Sequence, residues 1–232
     1  MKCFLLFFLW ILSFYVHADI GVSPIIIDLA NKAHDAEIAV KNFDTKHNAY
    51  IEITPYRLTN PGSAADKKER VRNPQRDGLV VFPAKLILLP GQTQFVRIVK
   101  TAKKSAHEKV YQIDFIPKNS SHLMSRNLPN GPVMGIRVVV GYGARITLRP
   151  DILSPSISVK RVNEQLIIKN TGNTQLKIVS CTQLIAGKKT EIPLPAYTLF
   201  SSKTITKKLT TLNPVTLDVF VMDKHLGLFH TN

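Results

Sequence analysis

Cysteine and tryptophan are nearly missing from this chain: Cys3 and Cys181 are the two cysteines, and Trp10 is the one tryptophan, in 232 residues. Cys3 and Trp10 fall in an N-terminal apolar stretch, and loss of that stretch would leave Cys181 alone, which excludes an intramolecular disulfide. A lone cysteine either pairs with another chain or packs as a small buried hydrophobe. Acidic residues are also scarce, with 16 Asp and Glu against 31 Lys and Arg for a net charge of +15. The basic residues are spread along the chain without an aromatic-interleaved motif, so the composition argues for a solvated basic surface attractive to acidic partners and against nucleic-acid recognition. After Phe4 to Val16 no run of 18 apolar residues free of charge occurs, which argues against a membrane-spanning helix in the remainder.

Motifs with a defined chemical geometry are lacking too. The seven histidines show no paired spacing on a predicted strand, and no clustered cysteines or carboxylates complete a metal site. There is no Gly-rich phosphate loop and no nucleophile elbow. Carboxylates such as Asp28, Glu52 and Asp114 stand isolated on predicted strands. The expectation is a protein that is not an enzyme and needs no cofactor or metal.

What is present begins with Lys2, the apolar run Phe4 to Val16, and the sequence Val16-His17-Ala18 before Asp19. A short apolar core closed by a small residue reads as a secretory signal peptide, residues 1–18, cleaved after Ala18. In a bacterium that places the mature chain in the periplasm.

Short β-branched runs then recur: Ile20 to Leu29, Glu37 to Asn42, Ala49 to Leu58, Leu79 to Leu89, Gln94 to Lys100, Lys109 to Pro117 and Val133 to Leu148. Turn signals such as Asn60-Pro61-Gly62, Pro90-Gly91 and Asn130-Gly131-Pro132 separate them. No amphipathic helix interrupts the pattern, and the spacing predicts an all-β, immunoglobulin-like sandwich over residues 19–150. After Pro150 the pattern restarts with Ser156 to Arg161, Gln165 to Asn170, Gln175 to Gln183, Lys203 to Leu209 and Val215 to Asp223. These predict a second, smaller β-sandwich over 151–232, with Asp151 to Pro155 as the hinge. The charged stretch Gly62 to Gly78 predicts an exposed loop.

The most informative run is Val133 to Pro150, VMGIRVVVGYGARITLRP, which follows a polar loop and stops at Arg149-Pro150. Its period-two alternation places Ile136, Val138 and Val140 on one face of an extended strand. Such a strand is either an internal strand of the sandwich or one lent to another protein. Gly141 and Gly143 either admit a second backbone or mark a bend.

Taken together, these features resemble the periplasmic pilus chaperones of the chaperone-usher pathway, the PapD-like superfamily. The branch serving colonisation-factor fimbriae is the nearest in pattern. The resemblance rests on IEITPYRLTNPG at 51–62, GLVVFPAKLILLPGQTQFVRIVKT at 78–101, VYQIDFIP at 110–117 and, more weakly, LIIKNTGN at 166–173. It implies two immunoglobulin-like sandwich domains in a boomerang arrangement. It also implies a chaperone that completes incomplete fimbrial (pilin) subunits by donor-strand complementation and delivers them to an outer-membrane usher. Self-association through the exposed strand would be a second use of it; nucleic acid and membrane insertion are not implied. The alternative is a secreted structural or adhesin protein with two β-sandwich domains.

Carried residue by residue, the resemblance makes Ile136, Val138 and Val140 the donated face. Many members grip the subunit's terminal carboxylate with an Arg in the first strand and a Lys four residues before the Arg-Pro stop. Arg145 occupies the second position, keeping the charge and adding bidentate geometry. The first strand, IGVSPIIIDL at 20–29, holds no basic residue. Arg97 in FVRIVK is the candidate replacement, its other reading being a surface strand residue. The second-domain cysteine pair common in relatives is absent.

Overall fold

The computed structural model describes residues 20–30, 33–63, 65–101, 105–118 and 140–231. The expected signal peptide and the stretch 119–139, which includes Ile136 and Val138, lie outside them.

The first sandwich contains β1 (Ile20–Ser23), β2 (Ile26–Leu29), β3 (Asp35–Asn42), β4 (Ala49–Thr59), β5 (Lys67–Arg70), a short helix α1 (Pro74–Asp77), β6 (Leu79–Phe82), β7 (Lys85–Leu88), β8 (Thr93–Lys100), β9 (Lys109–Pro117) and β10 (Tyr142–Leu148). Among the described residues one sheet runs β1-β3-β8-β6 and the other β2-β10-β9-β4-β5, with β7 also on β4. Their inner faces meet in a core that includes Ile20, Ile38, Val40, Leu79, Val96 and Ile98 from one sheet and Ile53, Tyr111, Ile113, Phe115, Ala144 and Ile146 from the other. Alternate residues are buried along strands such as β2, β7 and β8, as the period-two pattern demands.

Two predicted strands are each divided. Ile20 to Leu29 splits at Pro24, and Leu79 to Leu89 splits at Pro83, each after a cis peptide bond. In both, the first half joins one sheet and the second half the other: β1 pairs with β3 but β2 with β10, and β6 pairs with β8 but β7 with β4. Proline has no N–H to give to a ladder, so the break falls where pairing is already interrupted.

The expected loop 62–78 carries more order than its composition suggested. Its Lys67–Arg70 segment pairs with β4 as an edge strand, and α1 is capped by Asn73, whose side chain accepts from Gln75 N and Arg76 N. Thr101 Oγ1 donates to Pro74 O and Tyr111 Oη to Asp77 O, tying the helix to β9 and to the end of β8.

The second sandwich contains β11 (Ile157–Val162), β12 (Gln165–Asn170), β13 (Leu176–Ile185), β14 (Lys188–Glu191), β15 (Thr198–Leu199), β16 (Thr204–Lys208), β17 (Val215–Val221) and β18 (Lys224–Thr231). Among the described residues its sheets run β11-β12-β16 and β14-β13-β17-β18, with β15 on β13. Leu166, Ile168, Leu176, Cys181, Val215, Leu217 and Val219 are among its core residues. Cys181 is fully buried and its thiol is pushed up to about 11 by burial, so it is a small packed hydrophobe rather than a reactive group. A buried asparagine closes a strand in each domain: Asn42 donates to Leu88 O and Leu89 O, and Asn170 to Thr174 O and Leu199 O.

Candidate functional site

The site grows from the strand that ends at Arg149. Along β10, Ala144, Ile146 and Leu148 are buried in the first core and Tyr142 packs against it, so Gly143, Arg145 and Thr147 take the outer face. On one side β10 is paired with β9 over all of Tyr142–Leu148. On the other, β2 pairs in parallel with Arg145–Leu148 alone, and Arg145 N donates to Ile25 O. Among the described residues, the edge of Tyr142, Gly143 and Ala144 therefore has no strand beside it. Val140 stands just ahead of this open edge, 52 % exposed.

The outer face beside the open edge is lowered by two glycines. A Cβ on Gly141 would lie 2.7 Å from Ile116 Cδ1, and one on Gly143 would lie 2.8 Å from Gln112 Nε2. Side chains of β9 thus lean over β10, and no β10 side chain rises between them.

Further along, the second domain closes the face. The Phe200 ring sits 5.8 Å from the Arg145 guanidinium, close enough for a cation–π contact. Lys203 Nζ donates to Asn60 Oδ1 at 2.8 Å, bridging the two domains.

Behind this wall a buried charge cluster joins the domains. Arg149, 2 % exposed, donates to Asp28 Oδ2 at 2.8 Å, Glu108 Oε2 at 3.2 Å and Thr174 Oγ1 at 2.7 Å. Glu108, just ahead of β9, accepts from two backbone amides of the second domain, Gln175 N at 2.6 Å and Ser201 N at 3.1 Å. Burial raises the Glu108 carboxyl above its ordinary value, while these donors and Arg149 pull it back. A cavity of about 750 Å³ opens at the same hinge, lined by Pro150, Leu153, Val221, Met222 and Leu226 among others.

Arg97 lies elsewhere. Val96 and Ile98 point into the core, so Arg97 faces outward from the other sheet, where it bonds Asp35 through Nε at 2.9 Å and through Nη2. Arg97 and Arg145 are on opposite faces of the sandwich and are not brought together. Sequence reasoning did not single out Glu108 or Phe200; Asp28 was noted there as an isolated strand carboxylate, and here it partners the buried Arg149. Each depends on a neighbour far away in the chain, and none belongs to a local motif. Among the described residues no group of three or more His, Cys, Asp or Glu side chains is placed to hold a metal, and no helix is long and apolar enough to cross a membrane.

Comparison with known proteins places this geometry in context. No family model matches the chain. An Escherichia coli protein that bears the name of a CFA/I fimbrial subunit is 28% identical over 179 residues, covering 75% of this chain and 72% of its own length. Among solved structures, the class 5 fimbriae chaperone CfaA superposes with a TM-score of 0.72 at 20% identity, covering 92% of this chain and 99% of its own. A chain of a chaperone–tip adhesin complex of CFA/I fimbriae biogenesis gives 0.72 at 19% identity, covering 92% of this chain and 97% of its own. A chain of the Salmonella enterica SafA pilin complex with the SafB chaperone gives 0.56 at 14% identity, covering 92% and 96%. The fold is that of the pilus chaperones, two β-sandwich domains.

Proposed function

We propose that this chain is a periplasmic chaperone of fimbrial biogenesis that binds pilin subunits by lending them the strand ahead of Arg149-Pro150, then passes them to an outer-membrane usher. The observation that carries this reading is the half-covered β10: β2 pairs with it no further than Arg145, and among the described residues no strand pairs with Tyr142–Ala144 on that edge. A partner sheet lacking a strand would satisfy those groups by strand addition. Ile136, Val138 and Val140 would then fill its groove, each contributing about 1.5–3 kcal/mol when fully buried.

In this reading a signal peptide ends at Ala18, residues 19–150 form the donor domain and 151–232 the second domain. Arg145 anchors an anionic group of the bound pilin, and the free chain covers its edge by self-association. No catalytic step is involved. The test is co-expression with candidate subunits in a periplasm. A one-to-one complex is expected, and Val138→Asp should abolish it while leaving the chaperone folded.

The competing reading, a two-domain structural or adhesin component, is favoured by the name of the Escherichia coli relative. It predicts incorporation into an extracellular polymer and survival of any complex in the Val138→Asp variant.

A further inference from the structure

We propose that the cavity at the hinge is a binding site for a small uncharged apolar molecule that touches both domains at once. Its walls come from three places: Ala30 and Pro150 at the end of the first domain, Leu153 and Pro155 in the hinge, and Met222 and Leu226 in the hairpin that joins β17 to β18. At about 750 Å³ it falls in the range of small-molecule sites, and junctions between domains are where such sites concentrate. It lies at the Arg149 end of β10, away from the Tyr142–Ala144 edge, so the inference does not rest on strand donation.

The tip of that hairpin carries an unusual residue for its backbone. Two-residue loops turn the second domain's chain after Val162, Ile185 and Val221, and their first residues have φ of 54° at Asn163, 49° at Ala186 and 53° at Met222. This left-handed region suits Gly, Asn and Asp and strains a long side chain. Asn163 is the ordinary choice. Met222 accepts the strain and sets a flexible, polarizable thioether in the cavity wall. Leu153, on the same wall, is exposed, although segments between domains are often polar.

The polar groups of the wall select against an ion and against a peptide. Arg149 is held by Asp28, Glu108 and Thr174, Asp151 lies 3.8 Å from Lys100 Nζ, and His225 bonds Asp218 at 2.8 Å. Asp223 and Lys224, adjacent at the turn, offset each other's charge. Backbone groups of the hinge are engaged as well: Asp151 N donates to Ser105 O, Ser154 N donates to Asn173 Oδ1, and Ile152 O accepts from Asn173 Nδ2. Pro150 and Pro155 have no N–H to give. A strand laid there would find few groups to pair with, whereas an uncharged apolar molecule needs only the side chains.

The probe is the neutral dye 1-N-phenylnaphthylamine, titrated into the full mature chain and followed by its fluorescence. Saturable one-to-one binding is expected. Met222→Asn supplies the turn residue used at Asn163 and removes the apolar wall, so it should weaken the dye roughly tenfold while the melting temperature holds or rises. Leu153→Gln should weaken it by a similar factor. Leu212→Gln, at an exposed position near the start of β17 and so at its far end from the cavity, should change nothing. Absence of saturable binding by the parent chain, parent affinity in both Met222→Asn and Leu153→Gln, or equal weakening by Leu212→Gln overturns the inference.

Discussion

Two edges of the same sheet are built in opposite ways. At one end β5, Lys-Lys-Glu-Arg, is exposed at every position and wholly charged. Toward the other, β10 offers the edge of Tyr142, Gly143 and Ala144 beside exposed Val140, with no charged side chain among them. Charged residues on an edge strand discourage pairing with other chains. The second domain guards β14, Lys-Lys-Thr-Glu, in the same manner as β5. Of these three, the apolar, glycine-containing one is the edge the proposed partner would use, and the contrast separates two charged edges that discourage pairing from one that carries no such guard.

The largest effect should come from the cluster that joins the second domain to the Arg149 end of β10, away from the open edge. Removing Glu108 leaves Arg149 buried and two backbone amides unanswered, so Glu108→Ala should lower stability by about 3 kcal/mol, read by urea unfolding. Unchanged stability would mean that Glu108 does not hold the two domains together.

Val140→Asp should leave unfolding unchanged, because the side chain is half exposed, yet weaken pilin binding about a hundredfold by placing an unpaired charge in an apolar groove. Isothermal titration with a purified pilin peptide checks this, and wild-type affinity would remove Val140 from the donated face. Conversely, Lys188→Val with Lys189→Val should make β14 resemble the open edge, giving concentration-dependent association in light scattering without altering pilin binding. A variant that stays monomeric at high concentration would show that charge is not what guards β14.

The smallest effect concerns the segment beside β5. Asp77 accepts from Arg72 N and Asn73 N, and these backbone bonds, with Arg76 beside it, lower its carboxyl from 3.8 to about 2. A depressed folded value means the stabilisation is present above the unfolded pKa and lost as pH falls through the folded one. The parent chain should therefore lose this contribution between about pH 4 and pH 2, and Asp77→Asn should flatten that part of the melting temperature against pH. An identical acid profile in the variant would show that Asp77 does not hold the segment.

Much of the fold was legible in the sequence because half-buried strands impose period two. The runs at Glu37 to Asn42, Lys109 to Pro117 and Gln165 to Asn170 lie within or coincide with observed strands. Where the pattern is absent, strands went unseen. β5 and β14 are exposed at all positions and carry no alternation, and in β18 the alternation is disturbed near Gly227, where pairing with β17 shifts register. Pro24 and Pro83 were visible, but that each sends the chain across to the opposite sheet depends on which strands lie waiting there.

The sequence by itself determined the β class and the restart of strands after Pro150, since each is written in local periodicity and turn chemistry. Only the tertiary structure decided that β2 pairs with β10 no further than Arg145, that Glu108 and Arg149 join the domains, and that Arg97 faces away from Arg145 on the other sheet. Those facts are about register and sheet order, which arise from contacts between residues distant in the chain, and no local pattern encodes them.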